Sequence, residues 1–281
     1  SYNLIAAPGY IELLDEMQTL NIDRKETAFI VSDTPMRLAP NGTDINNWAT
    51  NANNAASNSE VGRTTRYTYS TMGYPWALGT NLDGSEVMIP PSAVKMRTIA
   101  FSDSVSYPWK SAAGTRRGVI TNAASVGYLT DESEYQPVLM SEGLRDVIYD
   151  NNINPHAFIP GSGLLVWGDK TMHNTASALD RENVARLIVQ IRTDLGRLTR
   201  PYFFELNNEA TRRDFKDAVD RYLSDLVAKE AMYDFVTVCS DQNNSPTRID
   251  RNELWLDCAI EPAKSINFIF IPIRIVNTGT L

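Results

Sequence analysis

Arg200-Pro201-Tyr202-Phe203-Phe204-Glu205-Leu206-Asn207-Asn208 is the stretch whose reading decides the C-terminal third of the chain. Tyr202, Phe203, Phe204 and Leu206 form an apolar run of strand length, stopped by an Asn pair. Pro201 can begin a strand but cannot sit in the middle of a central ladder. Helix patterns flank the run. Before it, Val184, Leu187, Ile188, Ile191 and Leu195 make one apolar stripe, with Asp180 as cap and Gly196 near the C-terminal end. After it, Asn207 or Asn208 caps a helix over residues 209–232 with the stripe Phe215, Val219, Tyr222, Leu223 and Leu226. Strand patterns follow at 235–239, at 253–260 with Leu254, Leu256, Cys258 and Ile260 on one face, and at 266–276. Pro272 marks the last as an edge strand or a bulge. A long apolar edge strand in a soluble protein needs something to pair with, and this feature by itself points to an assembly. The C-terminal part is thus predicted to be a mixed or antiparallel sheet covered by two long amphipathic helices.

Working toward the N-terminus, residues 2–7 and 27–32 read as strands and 11–20 as a helix with Ile11, Leu14, Met17 and Leu20 on one face. Such a unit favours parallel strands with a right-handed crossover. Its first turn, Ala7-Pro8-Gly9-Tyr10, lacks the glycines of a dinucleotide fingerprint. Residues 41–59 read as a long polar loop, 66–78 as strand then turn, and 81–84 as a turn before a strand at 86–89. A helix starts at Pro90-Pro91-Ser92 and runs to about Phe101. A polar strand is expected at 118–121, a helix start at Thr130-Asp131-Glu132-Ser133-Glu134, a helix over 139–149 and a strand over 163–167. The loop 172–179 is the expected boundary, dividing 1–174 from 175–281. The overall class is α/β in the mixed α+β sense.

A net charge of −8 excludes a general nucleic-acid binder, which needs excess Lys and Arg to displace phosphate counterions, and is a poor match for an anionic membrane. No apolar run approaches the roughly 20 residues that span a bilayer, and no signal peptide is visible. The sequence starts at Ser1 in a strand-like run, as a fragment or processed form would. Cys239 and Cys258 fall in strand patterns and read as buried small hydrophobes, with a cross-strand disulfide as the alternative.

The candidate chemistry is thin. His156 and His173 read as isolated loop residues, so neither a serine triad nor a metal site is indicated. Gly161-Ser162-Gly163 is too short for a nucleophile elbow and reads as a turn. Gly168-Asp169-Lys170-Thr171 lacks both the first glycine and the Gly-Lys pair of a phosphate loop. Asp131, Glu132 and Glu134 read as helix-start carboxylates rather than an acid/base pair. Asn41-Gly42-Thr43 and Asn243-Asn244-Ser245 are glycosylation sequons by pattern alone. Arg212, Arg213, Asp214, Lys216, Asp217, Asp220 and Arg221 make a charged helix face, either solvated or a docking surface.

Several blocks in register carry a resemblance. They are Ile153-Asn154-Pro155, Val166-Trp167-Gly168-Asp169-Lys170-Thr171, Asp180-Arg181-Glu182-Asn183-Val184-Ala185-Arg186-Leu187, Phe204-Glu205-Leu206-Asn207-Asn208, Asn243-Asn244-Ser245-Pro246, Ile249-Asp250-Arg251-Asn252-Glu253 and Pro262-Ala263-Lys264-Ser265-Ile266-Asn267. In order and spacing they resemble the tail sheath proteins of contractile bacteriophages, of the T-even type. Pro90-Pro91-Ser92, Pro108-Trp109-Lys110, Ala112-Ala113-Gly114 and Leu129-Thr130-Asp131 extend the likeness more loosely, with Ser111 and Ala113 departing from the family's Ala and Pro. The resemblance implies a non-catalytic, subtilisin-like α/β topology for the first half, and terminal arms shortened or missing here. It implies a virion component, assembled in the host cytoplasm, that stacks around a tail tube and contracts on baseplate triggering without nucleotide or cofactor. Implied partners are other sheath subunits, joined by strands donated into a neighbour's sheet, the tail tube protein, and baseplate and tail terminator proteins, with neither direct nucleic-acid nor membrane contact. The subunit or tube interface is expected at Arg212, Arg213, Lys216, Asp217, Arg221, Ile269, Ile271 and Ile273. A phage-derived injection device uses the same mechanics and is the alternative. A hydrolase on the first half is the reading from another class.

Overall fold

In the computed structural model, which describes residues 2–52, 61–267 and 269–270, the expected strand–helix–strand unit opens the chain. β1 (Leu4–Ala6) and β2 (Phe29–Asp33) are parallel, with Leu4 opposite Phe29, and α1 (Leu14–Asp23) crosses between them. β2 is buried along its whole length, as its unbroken apolar start predicts. Asn21 of α1 holds it from behind, donating to the Ala28 carbonyl and accepting from the Ala28 amide.

The polar loop expected at 41–59 is in part a helix, α2 (Gly42–Thr50). Asn41 caps it by accepting from the Asp44 amide at 2.8 Å. Ile45, Trp48 and Ala49 bury one face, a spacing hidden among Asn and Thr residues. Residues 53–60 lie outside the described residues.

β3 (Ser70–Tyr74) runs parallel beside β2, and β4 (Trp76–Thr80) follows after Pro75, so the expected strand and turn are two strands. β5 (Glu86–Ile89) pairs back on β4, and α3 (Pro91–Val105) packs on β2, β3 and β4 with Pro91 in its first turn. A short α4 (Gly114–Arg117) precedes a single bridge from Val119 to Leu165, where a polar strand is expected. The expected helix start at Thr130 is instead a hairpin turn between β6 (Ser125–Leu129) and β7 (Tyr135–Pro137). Thr130 donates its amide to the Glu134 carbonyl and Ser133 takes a φ of 65°. Cap residues serve turns and helices alike.

α5 (Glu142–Asp150) leads to β8 (Asn154–Ile159) and β9 (Gly163–Val166). The main sheet has the order β1-β2-β3-β8-β9, parallel except for β9, and a second, antiparallel sheet has the order β5-β4-β6-β7. His156 is therefore a strand residue, fully buried on β8, not a loop residue. Gly73 faces it so closely that a Cβ there would lie 2.9 Å from His156 Nε2.

The C-terminal part holds α6 (Glu182–Leu198), α7 (Glu209–Ala228), β10 (Met232–Val238), α8 (Pro246–Asp250) and β11 (Asp257–Pro262). The opening stretch is not a strand. Arg200–Tyr202 is one 3-10 turn continuing from α6, with Pro201 in its first turn. Phe204 adopts a φ of 72°, which no strand residue takes. Tyr202 turns its ring onto Phe215, while Phe203, Phe204 and Leu206 stand in solvent. Aromatic residues suit a pleated surface only where neighbours are there to pack on; here the run joins two helices. The apolar strand expected at 266–276 lies mostly outside the described residues. Cys239 is buried, but Cys258 is exposed, and both are free thiols.

Candidate assembly surface

α6 and α7 build the C-terminal core from the stripes their sequences carry. Leu187, Ile191, Phe215, Val219, Leu223 and Leu226 are buried together with Ala231, Met232 and Cys239, and Tyr222, Phe235, Leu254, Leu256 and Ile260 pack around them. Asn208 caps α7 by accepting from the Thr211 amide at 2.8 Å. Against this core lies a sheet of two antiparallel strands, β10 and β11, with a register shift between Met232 and Asp234. Among the described residues these strands pair only with each other. Two strands alone are marginal in water, and the α7 side supplies the burial that holds them. The sheet leaves Tyr233, Val236 and Cys258 exposed. Among the described residues no further strand pairs with its edges, and sheet edges are places where another strand can add.

The structure separates the residues expected at an interface. Arg213, Asp217 and Arg221 form one exposed row at i, i+4, i+8 on α7. Lys216 is half-buried and pairs with Asp220 at 2.5 Å. Arg212 does not belong to that surface: it is 6% exposed, donating to Asp241 Oδ1 at 2.8 Å and to Asn207 Oδ1 at 3.2 Å. It ties the start of α7 to two loops of its own subunit. Ile269 is exposed; Ile271 and Ile273 lie outside the described residues.

Two features at α6 leave no local pattern in the sequence. α6 serves two cores, Ala185 and Val189 packing into the main-sheet cluster while Leu187 and Ile191 face the C-terminal one. Its first turn is pinned by charge. Lys95 Nζ of α3 lies 2.7 Å from Glu182 Oε2, both side chains almost wholly out of water. One turn on, Arg186 meets Asp103 at 2.5 Å. Burial pushes the Glu182 carboxyl up; Lys95 and Arg186 oppose this. Beside the junction opens a cleft of about 640 Å³ lined by Trp109, Arg117, Tyr149, Trp167, Asp169 and Lys264. The blocks 166–171 and 262–267, distant in sequence, meet in it.

Neither histidine is placed as a base. His156 Nδ1 donates to the Pro75 carbonyl at 3.1 Å, and its Nε2 has no hydrogen-bond partner among the described residues. Burial first, then Lys95, pushes its pKa down to about 3. His173 lies between Thr68 and Thr175. The Ser92 hydroxyl donates to Asp33, both fully buried at the start of α3. Among the described residues no helix is long and apolar enough to cross a membrane, and no group of three or more His, Cys, Asp or Glu is placed to hold a metal ion.

Residues 174–276 match the phage tail sheath C-terminal domain. The tail sheath protein of Vibrio phage KVP40 is 39% identical over 170 residues, 60% of this chain and 24% of that protein. That of Enterobacteria phage T4 is 36% identical over 191 residues, 68% of this chain and 28% of that protein. The matched stretches thus span only about a quarter of the curated relatives. Among solved structures, a chain of the anti-feeding prophage helical sheath in the contracted state aligns with a TM-score of 0.74 over 97% of this chain and 69% of its own, at 17% identity. A chain of the contracted PVC sheath complex, from an extracellular contractile injection system, aligns at 0.73 over 98% and 71%, at 19% identity. At these identities the likeness is one of fold.

Proposed function

We propose, from the match of residues 174–276 to the phage tail sheath C-terminal domain and the likeness to the KVP40 and T4 tail sheath proteins, that this chain is a structural part of a contractile sheath, polymerising around a tail tube and contracting to drive the tube through the host envelope. The observation that carries this reading is the two-stranded β10–β11 sheet within the matched C-terminal domain, held on one side by the α6 and α7 core and joined at its edges by no further strand among the described residues. A neighbour's strand added there would link subunits without either one refolding. Work then comes from the difference between two packings of identical subunits. On this reading residues 1–174 and 175–281 are the two structural units, the second carrying the links. The partners are other sheath subunits, the baseplate, the tube protein and the terminator, and the site of action is the phage tail. The chemistry is mechanical, with no bond made or broken. The folds shared with injection-device sheaths fit a second reading as well, a phage-derived device with the same mechanics; genome context separates the two.

The exposed row on α7 tests the surface. Arg213→Glu combined with Arg221→Glu is expected to change monomer stability by less than about 0.5 kcal/mol and to abolish or shorten tubes seen by negative-stain microscopy. Arg212→Glu is expected to do something different, destabilising the monomer by about 2–4 kcal/mol through a buried charge set against Asp241. Normal tubes from the Arg213/Arg221 variant would remove this row from the interface.

A further inference from the structure

After β11 the chain crosses from the C-terminal sheet to the body of the first half, and its polar groups are received one by one. The Ala263 amide donates to the Ala231 carbonyl at 3.2 Å. Asn183 Nδ2 donates to the Ala263 carbonyl at 3.0 Å. The Ser265 hydroxyl donates to Asp169 Oδ2 in a short hydrogen bond. Asn267 Nδ2 donates to Asp169 Oδ1 at 2.8 Å and to the Tyr149 hydroxyl at 2.5 Å. Tyr149 in turn donates to Asp169 Oδ1 at 3.2 Å and accepts from Arg181 at 2.9 Å.

Asp169 is 4% exposed, and its main-chain carbonyl accepts the Glu182 amide at 2.7 Å. It is therefore fixed to the start of α6 before the crossing segment arrives. Among the described residues the segment's large apolar side chains add little to hold it: Ile266, Ile269 and Phe270 are 82%, 76% and 88% exposed. What decides whether 263–267 stays docked is the polar set, and both of its anchored side chains, Ser265 and Asn267, donate to one carboxylate. Charge-assisted hydrogen bonds to an acceptor already out of water are the strong kind.

We propose that Asp169 is a positioning residue, a latch that holds the root of the outgoing C-terminal segment against the body and so fixes the place and direction in which the chain leaves toward a neighbouring copy. The neighbour rests on the sheath reading; the latch does not. Lys264 lies between the two anchored residues and is exposed, so the Lys264–Ser265 bond reports latch opening. Trypsin acts there on the transiently released segment, and its rate follows the open population.

The test is the initial rate of tryptic cleavage after Lys264, read by mass spectrometry on unassembled protein, with cleavage at other sites as reference. Asp169→Asn and Ser265→Ala are each expected to speed this cleavage about tenfold, with the other sites unchanged. Ser265→Thr keeps the hydroxyl and is expected to stay near the wild-type rate. If Asp169→Asn loosens every site, Ser265→Ala decides, because it leaves the buried carboxylate in place. An unchanged Lys264 rate in Ser265→Ala, or an equal rise in Ser265→Thr, overturns the latch. Because the assay needs no assembly, absence of tubes from the wild type would count against the sheath reading alone.

Discussion

Lys95→Met is expected to destabilise the folded chain by about 3–5 kcal/mol. The substitution leaves Glu182 buried with its nearest opposing charge gone; the two groups are 2.7 Å apart in the wild type, and no hydrogen-bond donor among the described residues satisfies Oε1 of Glu182. Removing one partner of a buried pair is far worse than removing both. The double variant Lys95→Met, Glu182→Leu is therefore expected to recover most of the loss. The pH dependence has a definite sign. Glu182 is held above its ordinary value by burial, and without Lys95 it moves further up. Below the unfolded value of about 4.3, both states are protonated and ionisation contributes nothing. As pH rises past that value the unfolded chain ionises first, and stability is lost until the folded value is passed. The gap between variant and wild type is thus smallest near pH 4 and widest near pH 8. Urea unfolding of the single and double variants at both pH values checks this. A single variant within 1 kcal/mol of wild type at pH 8 would mean that the pair does not pin α6 to α3.

The second large effect is expected at Trp109. The indole is buried among Leu187, Ile191, Phe215 and their neighbours in the C-terminal core. Its Nε1 donates to the Lys229 carbonyl at 3.2 Å, and its ring stacks on Tyr107 at 4.8 Å. The first half of the chain thus supplies a plug to the second. Trp109→Ala is expected to cost about 3–5 kcal/mol, a fall in thermal midpoint of roughly 10 °C. Trp109→Phe keeps most of the apolar area and loses mainly one hydrogen bond, about 1 kcal/mol. Differential scanning calorimetry of the two variants separates the terms. Equal midpoints for Trp109→Ala and wild type would show that the two halves are not joined through this residue.

Lys95–Glu182 and Trp109 together explain why many single elements are legible in the sequence and the contacts that join them are not. Periodicity reports what an element buries, so the stripes of α6 and α7, the Asn208 cap and the β1–α1–β2 unit were all legible. It does not report which element receives the buried face. Ala185 and Leu187 are neighbours in one helix yet serve different cores. Ion pairs and latches link residues some 90 positions apart, as Lys95 to Glu182 and Asp169 to Ser265, with no local trace. Charge patterning misplaced Arg212 for a related reason: in a run of charged residues, burial is set by what closes over the helix, here Asp241 and Asn207. The aromatic run at 202–206 is not a strand because β propensity describes a surface to pack on, and here only Tyr202 finds one, against Phe215.

Assembly itself is best put to the test by negative-stain electron microscopy of the full-length protein, purified alone with intact termini and examined across a range of salt concentrations. Sheath subunits that link through open sheet edges are expected to give hollow, striated tubes of uniform width. Only monodisperse monomer under every condition would contradict a protein that works by how identical copies pack.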